Sequence, residues 1–271
     1  MIRVARGGPA PAAIPRGVAI VTGSSSGLGQ ALARELHRRG WRVGLVARRA
    51  ERLEALATEL GEGTAWAAAD VRDAPGLFAA VRKIERALGA CDLIVANAGT
   101  SSSSSLTRLD PEEAARTLRV NVEGVVHSVA AVLPGMLERN AGHVAAVSSL
   151  AGEVGLPMAA IYLASKAAVT RFMDCLRLQA RPRGIVVTTI LPGFLATDML
   201  DGTRFPKPFL LQPDEAARRI ADGLERRKAR ILFPWPTALA VAVARRLPTG
   251  LYDRIIRLLL PVPRPKNGSA T

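Results

Sequence analysis

The sequence predicts an α/β protein built as a doubly wound parallel sheet, with helices on both faces in three αβα layers. Short aliphatic runs alternate with longer stretches of helical period along most of the 271 residues. This βαβα order is typical of a parallel sheet. The runs show no polar alternation, which indicates strands buried on both faces. Right-handed crossovers then give a Rossmann-type arrangement, which we expect to form a single domain.

The predicted elements alternate from Gly17 onward. The predicted strands are short and aliphatic, and they cover Gly17–Thr22, Arg42–Ala47, Ala65–Asp70, Asp92–Asn97, His143–Ser148, Ile185–Leu191 and Ile231–Phe233. The predicted helices have apolar residues three and four apart, and they cover Leu28–Arg39, Glu51–Leu60, Pro75–Leu88, Pro111–Glu138, Ala164–Arg181 and Pro213–Arg227. Gly40 fits the end of the first helix, and Pro213 fits the first turn of the last.

Composition excludes several classes of protein. A hydrophobic content of 49% with 22% charged residues excludes a disordered chain. No uninterrupted apolar run approaches the roughly 18–20 residues of a membrane-spanning helix. Residues 1–16 lack the apolar centre of a secretory signal and are predicted to be a flexible leader. Cys91 and Cys175 are too few for a disulfide framework, so we expect buried thiols in a cytoplasmic protein.

The formal charge of +14 is concentrated at the ends of the chain. Residues 204–271 carry a net charge of +9, whereas residues 17–203 carry only +2. With no recognition motif and a nearly neutral central domain, we expect no nucleic-acid partner. His37, His127 and His143 lack the spacing of metal ligands, so we expect no metal.

We divide the chain into a domain at 17–236 and a basic, amphipathic extension at 237–271. Within the domain, residues 192–212 lack helical period and are predicted to form the substrate loop. An apolar substrate is predicted from the apolar residues of that loop, which are Leu195, Met199, Phe205, Phe209 and Leu210. The extension has two alternatives: packing on a neighbouring subunit or over the cleft, which we favour, and peripheral contact with an anionic membrane through 237–260.

A glycine-rich segment, Thr22-Gly23-Ser24-Ser25-Ser26-Gly27-Leu28-Gly29, joins the first strand to the first helix. Glycines let the backbone approach a pyrophosphate, whose charge the free N–H groups and dipole of a helix N-terminus stabilise. Any tight strand-to-helix turn also favours glycine, so this segment alone does not establish a nucleotide site.

The spacing G-x-x-x-G-x-G resembles the short-chain dehydrogenase/reductase family, and later segments extend the resemblance over about residues 17–200. The matching segments, in family order, are Asn97-Ala98-Gly99, Asn121, Ser149, Tyr162 with Lys166 in a Y-x-x-x-K motif, and Pro192-Gly193 with Thr197. Many bacterial relatives end in a glycine-rich segment that builds a tetramer, and this chain instead ends in the arginine-punctuated extension. The resemblance still implies a homodimer or homotetramer.

The resemblance implies a catalytic set of Asn121, Ser149, Tyr162 and Lys166. Tyr162 would protonate the carbonyl oxygen, Ser149 would bind that oxygen, Lys166 would hold the nicotinamide ribose, and Asn121 would position water. The implied cofactor-binding residues are Gly23, Ser25, Ser26, Gly27, Leu28, Gly29, Arg48, Asp70, Val71, Asn97, Ala98, Gly99, Tyr162, Lys166, Ile190, Pro192, Gly193 and Thr197. Two alternatives stay open: Ser148 in place of Ser149, and a purely structural Asn121.

Tyr162 and Lys166 are four residues apart, so both lie on one face of a helix or its entry. A free tyrosine has a pKa of about 10, and a neighbouring ammonium would lower it. A shift of about 3 units, into the range useful for proton transfer, would also need the positive charge of the nicotinamide. The chain contains five lysines against 32 arginines, so a lysine here favours a specific role over a surface pair.

The end of the second strand predicts the cofactor. An acidic residue there binds the ribose hydroxyls of NAD, but this chain has Ala47 followed by Arg48, which can pair with a 2′-phosphate. Arg48 and Arg49 could instead be a solvated helix start. We expect NADPH and, with it, reduction of an apolar ketone or aldehyde. The alternatives are a 3-oxoacyl thioester reductase with an acidic carrier partner, and a non-catalytic dinucleotide-binding scaffold or sensor.

Overall fold

The computed structural model describes residues 16–101, 109–157, 159–197 and 207–260. Seven parallel strands form one sheet in the order β3-β2-β1-β4-β5-β6-β7. The strands are β1 (Val18–Thr22), β2 (Arg42–Ala47), β3 (Thr64–Ala68), β4 (Cys91–Ala96), β5 (Gly142–Val147), β6 (Ile185–Pro192) and β7 (Arg230–Phe233). The sheet winds outward in both directions from β1 and β4, which confirms the predicted doubly wound fold.

Nine α-helices are described, and they cover both faces of the sheet. They are α1 (Gly27–Arg38), α2 (Ala50–Leu60), α3 (Ala74–Leu88), α4 (Pro111–Leu118), α5 (Gly124–Arg139), α6 (Ala160–Ala180), α7 (Pro213–Glu225), α8 (Trp235–Ala244) and α9 (Thr249–Leu259). Side chains of α1, α2 and α7 form one core cluster with the sheet. Side chains of α3, α5 and α6 form the other.

The central strands are buried on both faces, as their lack of polar alternation predicts, whereas the edge strands β3 and β7 are partly exposed. In β1, Ala19 and Val21 join the cluster on one face. Val18 and Ile20 join the cluster on the other. Successive side chains of a strand point to opposite faces, so a strand between two helical layers needs apolar residues at every position.

Three differences from the sequence prediction are larger than a shift of one or two residues at the end of an element. The predicted helix Pro111–Glu138 is divided by a π-helical turn at Arg119–Glu123. Helix α6 begins at Ala160 rather than Ala164, directly after Ala159, whose φ of 57° is left-handed. The segment Thr237–Leu260 forms two helices, with Pro248 directly before the second. The first two changes have no strong local signal. The third has one, because the Pro248 ring disfavours a continuous helix.

The helical stretch Pro111–Arg139 is long and apolar enough to cross a membrane by length and composition, with 39% of its apolar window buried. Counting uninterrupted apolar residues did not detect it. Val125, Val129, Val132 and Met136 from α5 pack into the core beside the sheet. One face of this stretch therefore packs in the core of the fold.

The cysteines and histidines divide between core and surface. Cys91 is buried as predicted, but Cys175 is exposed, so that prediction was wrong: α6 turns it away from the core. His37 contacts the Glu62 carbonyl oxygen, His127 the Val71 carbonyl oxygen and His143 the Thr188 hydroxyl. Within the described ranges no three His, Cys, Asp or Glu residues form a group that could hold a metal ion.

Several sequence predictions fall outside the described residues. These are residues 1–15 of the leader, most of the serine run Ser101–Ser105, residues 198–206 with Met199 and Phe205, and 261–271. The described ends of the substrate loop meet where Leu195 pairs with Leu211 in an isolated parallel bridge. The division at residue 236 remains a prediction.

Candidate active site

The sequence-predicted site residues converge at the carboxyl edge of the sheet. The glycine-rich turn follows β1, Asn97 follows β4, Ser149 follows β5 and Gly193 follows β6. In an open parallel sheet, ligands bind outside the carboxyl ends of the strands where the winding direction changes. Here that switch point lies between β1 and β4.

The glycine-rich turn depends on the absence of side chains. Gly23 and Gly27 have φ values of 70° and 54°, which L side chains rarely adopt. A Cβ on Gly29 would lie 2.3 Å from the Gly23 carbonyl oxygen and 2.4 Å from the Asn97 Nδ2 atom. The absence of a side chain at Gly29 therefore lets α1 begin close to the end of β1.

The start of α1 suits a phosphate group. Its N-cap residue Ser26 makes no capping hydrogen bond through its side chain, and the first turn contains no acidic residue. Helix N-terminal N–H groups and the helix dipole attract anions. Together with the close glycine turn, this set of donors fits a dinucleotide.

Thr22 joins the glycine-rich turn to the end of β4. Its Oγ1 atom accepts hydrogen bonds from the backbone N–H groups of Asn97 at 3.1 Å and Ala98 at 3.2 Å. The Asn97 Nδ2 atom donates to the Thr22 carbonyl oxygen at 3.0 Å. Asn97 therefore holds the turn through its side chain, and the sequence reasoning did not single out Thr22 for this role.

Tyr162, Ser149 and Lys166 lie together beneath this edge. The Lys166 Nζ atom is 5.7 Å from the centroid of the Tyr162 ring. It donates a 2.9 Å hydrogen bond to the Val147 carbonyl oxygen at the end of β5. A Cβ on Gly152 would lie 2.8 Å from the Lys166 Cβ, so this glycine lets the segment after Ser149 pack directly on α6.

Burial dominates the electrostatics of this pair in the chain alone. Burial raises the pKa of Tyr162, and a hydrogen bond with Ser149 opposes the rise. Burial also lowers the pKa of Lys166 to about 8. In the chain without cofactor, burial therefore sets the direction of both shifts, and the lowering of the Tyr162 pKa by the ammonium together with the positive charge of the nicotinamide stays a prediction.

The two neighbouring serines have different surroundings. The Ser148 hydroxyl donates to the Lys166 carbonyl oxygen at 2.7 Å and is 2.7 Å from the Thr170 hydroxyl. The Ser149 hydroxyl accepts from the Ala151 N–H at 3.2 Å and lies at hydrogen-bonding distance from Tyr162. Ser148 is committed to the core, whereas Ser149 faces the phenol.

Asn121 is fully buried in the π-helical turn between α4 and α5. Its Oδ1 atom accepts from the Thr100 N–H at 2.8 Å, and its Nδ2 atom donates to the Thr100 carbonyl oxygen and the Ser165 hydroxyl, both at 2.9 Å. Both amide hydrogens are thus used within the protein. These hydrogen bonds support a structural role for Asn121, and its positioning of a water molecule stays a prediction.

Gly99 lies between the buried amide and the buried ammonium. A Cβ there would be 3.4 Å from the Asn121 Oδ1 atom and 3.5 Å from the Lys166 Nζ atom. The backbone at Gly99 therefore comes close to both predicted catalytic side chains.

Two arginines after β2 have different surroundings. The Arg49 guanidinium donates at 2.8 Å to both the Ser25 and Ser26 hydroxyls of the glycine-rich turn. Arg48 is exposed. The Arg72 guanidinium, which binds Asp70 directly, and then the charge of Arg48 hold the pKa of Asp70 below its usual range. Sequence reasoning singled out Arg48 and missed Arg49, since the reach of Arg49 to the turn depends on tertiary structure.

Some of the remaining predicted cofactor-binding residues lie near the glycine-rich turn, and others lie in the core. Thr197 approaches the turn, because a Cβ on Gly27 would lie 3.3 Å from the Thr197 Cγ2 atom. The Gly193 N–H donates to the Phe233 carbonyl oxygen at 2.8 Å, and a Cβ there would lie 3.0 Å from Pro234. Ile190 is fully buried in the core, and its contact with the nicotinamide side of the cofactor stays a prediction. Val71 is also buried.

Comparison with known proteins agrees with this arrangement. Residues 17–206 match the family model of the short chain dehydrogenases. An uncharacterized oxidoreductase of Myxococcus xanthus is 40% identical over 244 residues, which cover 89% of this chain and 96% of that protein. Dehydrogenase/reductase SDR family member 7B of Bos taurus is 31% identical over 259 residues, covering 88% of this chain and 80% of that protein.

Two solved structures share the fold. An alcohol dehydrogenase from Thermococcus sibiricus complexed with 5-hydroxy-NADP superimposes with a TM-score of 0.73 and 28% identity, covering 80% of this chain and 95% of its own. A variant of actinorhodin polyketide ketoreductase with NADPH gives 0.75 and 30%, covering 82% and 97%. The chain therefore belongs to the short-chain dehydrogenase/reductase family and is an NAD(P)-dependent oxidoreductase with a Rossmann fold.

Proposed function

We propose that this protein is an NADPH-dependent carbonyl reductase that converts an apolar ketone or aldehyde to the alcohol. The observation that carries the proposal is the meeting of Ser149, Tyr162 and Lys166 at the edge of the sheet where the glycine-rich turn begins α1. The reverse reaction, oxidation of the alcohol, uses the same groups. A dinucleotide-binding scaffold without turnover would not require these three side chains together.

Tyr162 is the proton donor in this proposal. Bound NADPH supplies the hydride that reduces the carbonyl carbon. The phenol of Tyr162 gives its proton to the carbonyl oxygen, and the Ser149 hydroxyl donates a hydrogen bond to the same oxygen. Because burial raises the pKa of Tyr162, the phenol keeps its proton at neutral pH, which suits the reductive direction.

Lys166 stabilises the charge that proton donation leaves behind. Its ammonium lies against the Tyr162 ring and is anchored on the Val147 carbonyl oxygen, so it can attract the phenolate without moving. A pKa of about 8 leaves Lys166 mostly protonated at neutral pH. Asn121 holds the Thr100 backbone and Ser165, which keeps the wall beside Lys166 in place.

Preference for NADPH is proposed from the residues after β2. Ala47 stands where an acidic residue would bind the ribose hydroxyls of NAD, and Arg48 is exposed beside the predicted cofactor site. Arg49 already binds the turn serines. The two solved relatives contain NADP-type cofactors, which agrees with this preference.

Arginine variants test the cofactor preference. Arg48→Ala should raise the KM for NADPH at least tenfold with little change for NADH, because only NADPH carries the 2′-phosphate. Arg49→Ala is the matched variant, and it should weaken both cofactors because it loosens the turn. Equal weakening of both cofactors by Arg48→Ala would overturn the assignment.

The reaction itself is tested by following NADPH oxidation over ketones, aldehydes, quinones and acyl thioesters. An apolar substrate is proposed because Phe209 and Leu210 of the substrate loop are 58% and 44% exposed. Deuterium from 4-deuterated NADPH should appear on the alcohol carbon of the product. Turnover confined to acyl thioesters would favour a 3-oxoacyl thioester reductase, and absence of turnover with intact NADPH binding would favour a scaffold.

A further inference from the structure

Helices α8 and α9 expose a large apolar surface. No residue of either helix is buried. The most exposed apolar side chains are 48–76% accessible, and they are Trp235, Leu239, Val243, Leu251, Leu258 and Leu259. Large apolar side chains exposed together on neighbouring segments often mark an interaction site. We call these six side chains the apolar face.

The apolar face follows helical spacing. Trp235, Leu239 and Val243 are four residues apart, so they lie along one side of α8. Leu251 and Leu258 are seven apart in α9, with Leu259 adjacent. Each helix thus presents one apolar side to solvent.

Arginines border this surface. Residues 235–260 contain four arginines and one acidic residue, Asp253. Arg245 pairs with Glu153, but Arg246, Arg254 and Arg257 have no carboxylate partner among the described residues. Arg254 lies three residues after Leu251 and four before Leu258, so its guanidinium shares their side of α9.

Contacts on the other side hold the two helices against the active-site edge. The Arg245 guanidinium binds Glu153 in the segment that follows Ser149, and the Tyr252 hydroxyl donates to the Gly155 carbonyl oxygen. At the start of α8, Pro234 and Thr237 pack on Gly193. These contacts hold the pair of helices beside the segments that follow β5 and β6, at the carboxyl edge of the sheet.

An anionic bilayer fits this surface better than a second copy of the chain. A two-fold interface packs a surface patch against the same patch of its copy, which would bring the unpaired arginines of both chains together. A bilayer surface accepts leucine and tryptophan at the headgroup level, and anionic lipids attract the bordering arginines.

We propose that α8 and α9 dock the protein on the surface of an anionic phospholipid bilayer. The apolar face inserts among the headgroups, and Arg246, Arg254 and Arg257 bind lipid phosphates. The segment that follows Ser149, which α8 and α9 contact, then lies near the lipid surface. This docking does not depend on the reaction proposed above, because it requires no turnover.

The test is co-sedimentation of the full chain with two kinds of vesicle, phosphatidylcholine alone and phosphatidylcholine mixed with phosphatidylglycerol. The protein should sediment with the anionic vesicles and release as salt is added. The triple variant Arg246→Gln/Arg254→Gln/Arg257→Gln should bind roughly a hundredfold less, since each arginine near the surface contributes about fivefold. Leu239→Ser/Leu258→Ser should also weaken binding.

A matched control removes the same charge elsewhere. Arg52, Arg82 and Arg86 are exposed on α2 and α3, and their triple glutamine variant should bind vesicles as the unchanged protein does. Equal losses in both triple variants would mean that net charge alone attracts the protein, and would overturn the proposal. So would failure to sediment with either vesicle, or a change in sedimentation mass of the leucine variant with unchanged vesicle binding, which would indicate a second copy.

Discussion

Helices α1 and α8 have the same spacing of apolar residues but opposite surroundings. In α1, Leu28, Leu32 and Leu36 recur every four residues and are at most 8% exposed. In α8, Trp235, Leu239 and Val243 recur every four residues and are 53–73% exposed. Helical period thus predicts which side of a helix is apolar, but not what covers that side.

The polar groups of the active site and those of the C-terminal extension also differ in burial. Around the site, the buried polar groups Asn121, Ser148 and Lys166 all have partners within the protein. In the C-terminal extension, Arg254 and Arg257 are exposed. Buried, paired groups preorganise a site for chemistry, whereas exposed, unpaired charges are suited to an external partner.

The largest expected effect comes from Tyr162→Phe, which removes one hydroxyl from the site. We expect kcat/KM to fall by about a thousandfold, because general acid catalysis typically contributes two to four orders of magnitude. Fluorescence titration should show NADPH binding almost unchanged. Carbonyl reduction at the unchanged rate would mean that another group supplies the proton.

Lys166→Met tests the buried ammonium through stability. The folded-state pKa of about 8 lies below the ordinary lysine pKa of 10.5, so the unfolded chain binds more protons between these values and stability rises with pH there. From about pH 7.5 to about pH 9.5, the unchanged protein should gain about 2 kcal/mol relative to the variant.

Urea unfolding of both proteins without cofactor measures this difference. Titration of Cys91, whose pKa burial raises and which begins β4 at the other edge of the sheet, contributes equally to both proteins and cancels. The range ends below the free tyrosine pKa of about 10, which limits the contribution of Tyr162. Parallel pH profiles for the two proteins would show that Lys166 does not titrate in this range.

Gly29→Ala probes close packing in the sheet region. The added Cβ would meet the Gly23 carbonyl oxygen and the Asn97 amide at less than 2.5 Å, so α1 must shift away from the turn. Overpacking of this kind destabilises by about 1–3 kcal/mol. Thermal unfolding and NADPH titration should both show losses, and an unchanged NADPH affinity would contradict the role of the turn.

Gly250→Ala makes the same substitution in the C-terminal extension and should have the smallest effect on stability and activity. A Cβ there meets nothing within 4 Å, and Gly250 lies in the first turn of α9. Alanine should stabilise this helix by about 0.5 kcal/mol without changing turnover. A loss of activity would show that the tail is coupled to the site more tightly than its contacts indicate.

The order of elements and the predicted site could be deduced because their signals are local. Aliphatic runs predict strands, the glycine-rich turn predicts a close approach, and Tyr162 and Lys166 share a helix face at four-residue spacing. The choice of Ser149 over Ser148 came from family spacing, and the structure supplies a physical reason in the core contacts of Ser148.

Other features could not be deduced, since they depend on residues distant in the chain. The π-helical turn buries Asn121 against Thr100 and Ser165. Arg49 binds Ser25 and Ser26, which lie more than twenty residues away in the sequence. Cys175 is exposed because of the rotation of α6, which a short apolar stretch does not specify.

The amino-acid sequence by itself determined that the strands form a parallel sheet and which residue types occupy the site, because backbone preferences and hydrophobic period act over a few residues. Only the tertiary structure decided which groups are desolvated. Burial depends on the packing of distant elements, and it opposes the charged forms of both Tyr162 and Lys166 while leaving the apolar side of α8 in water.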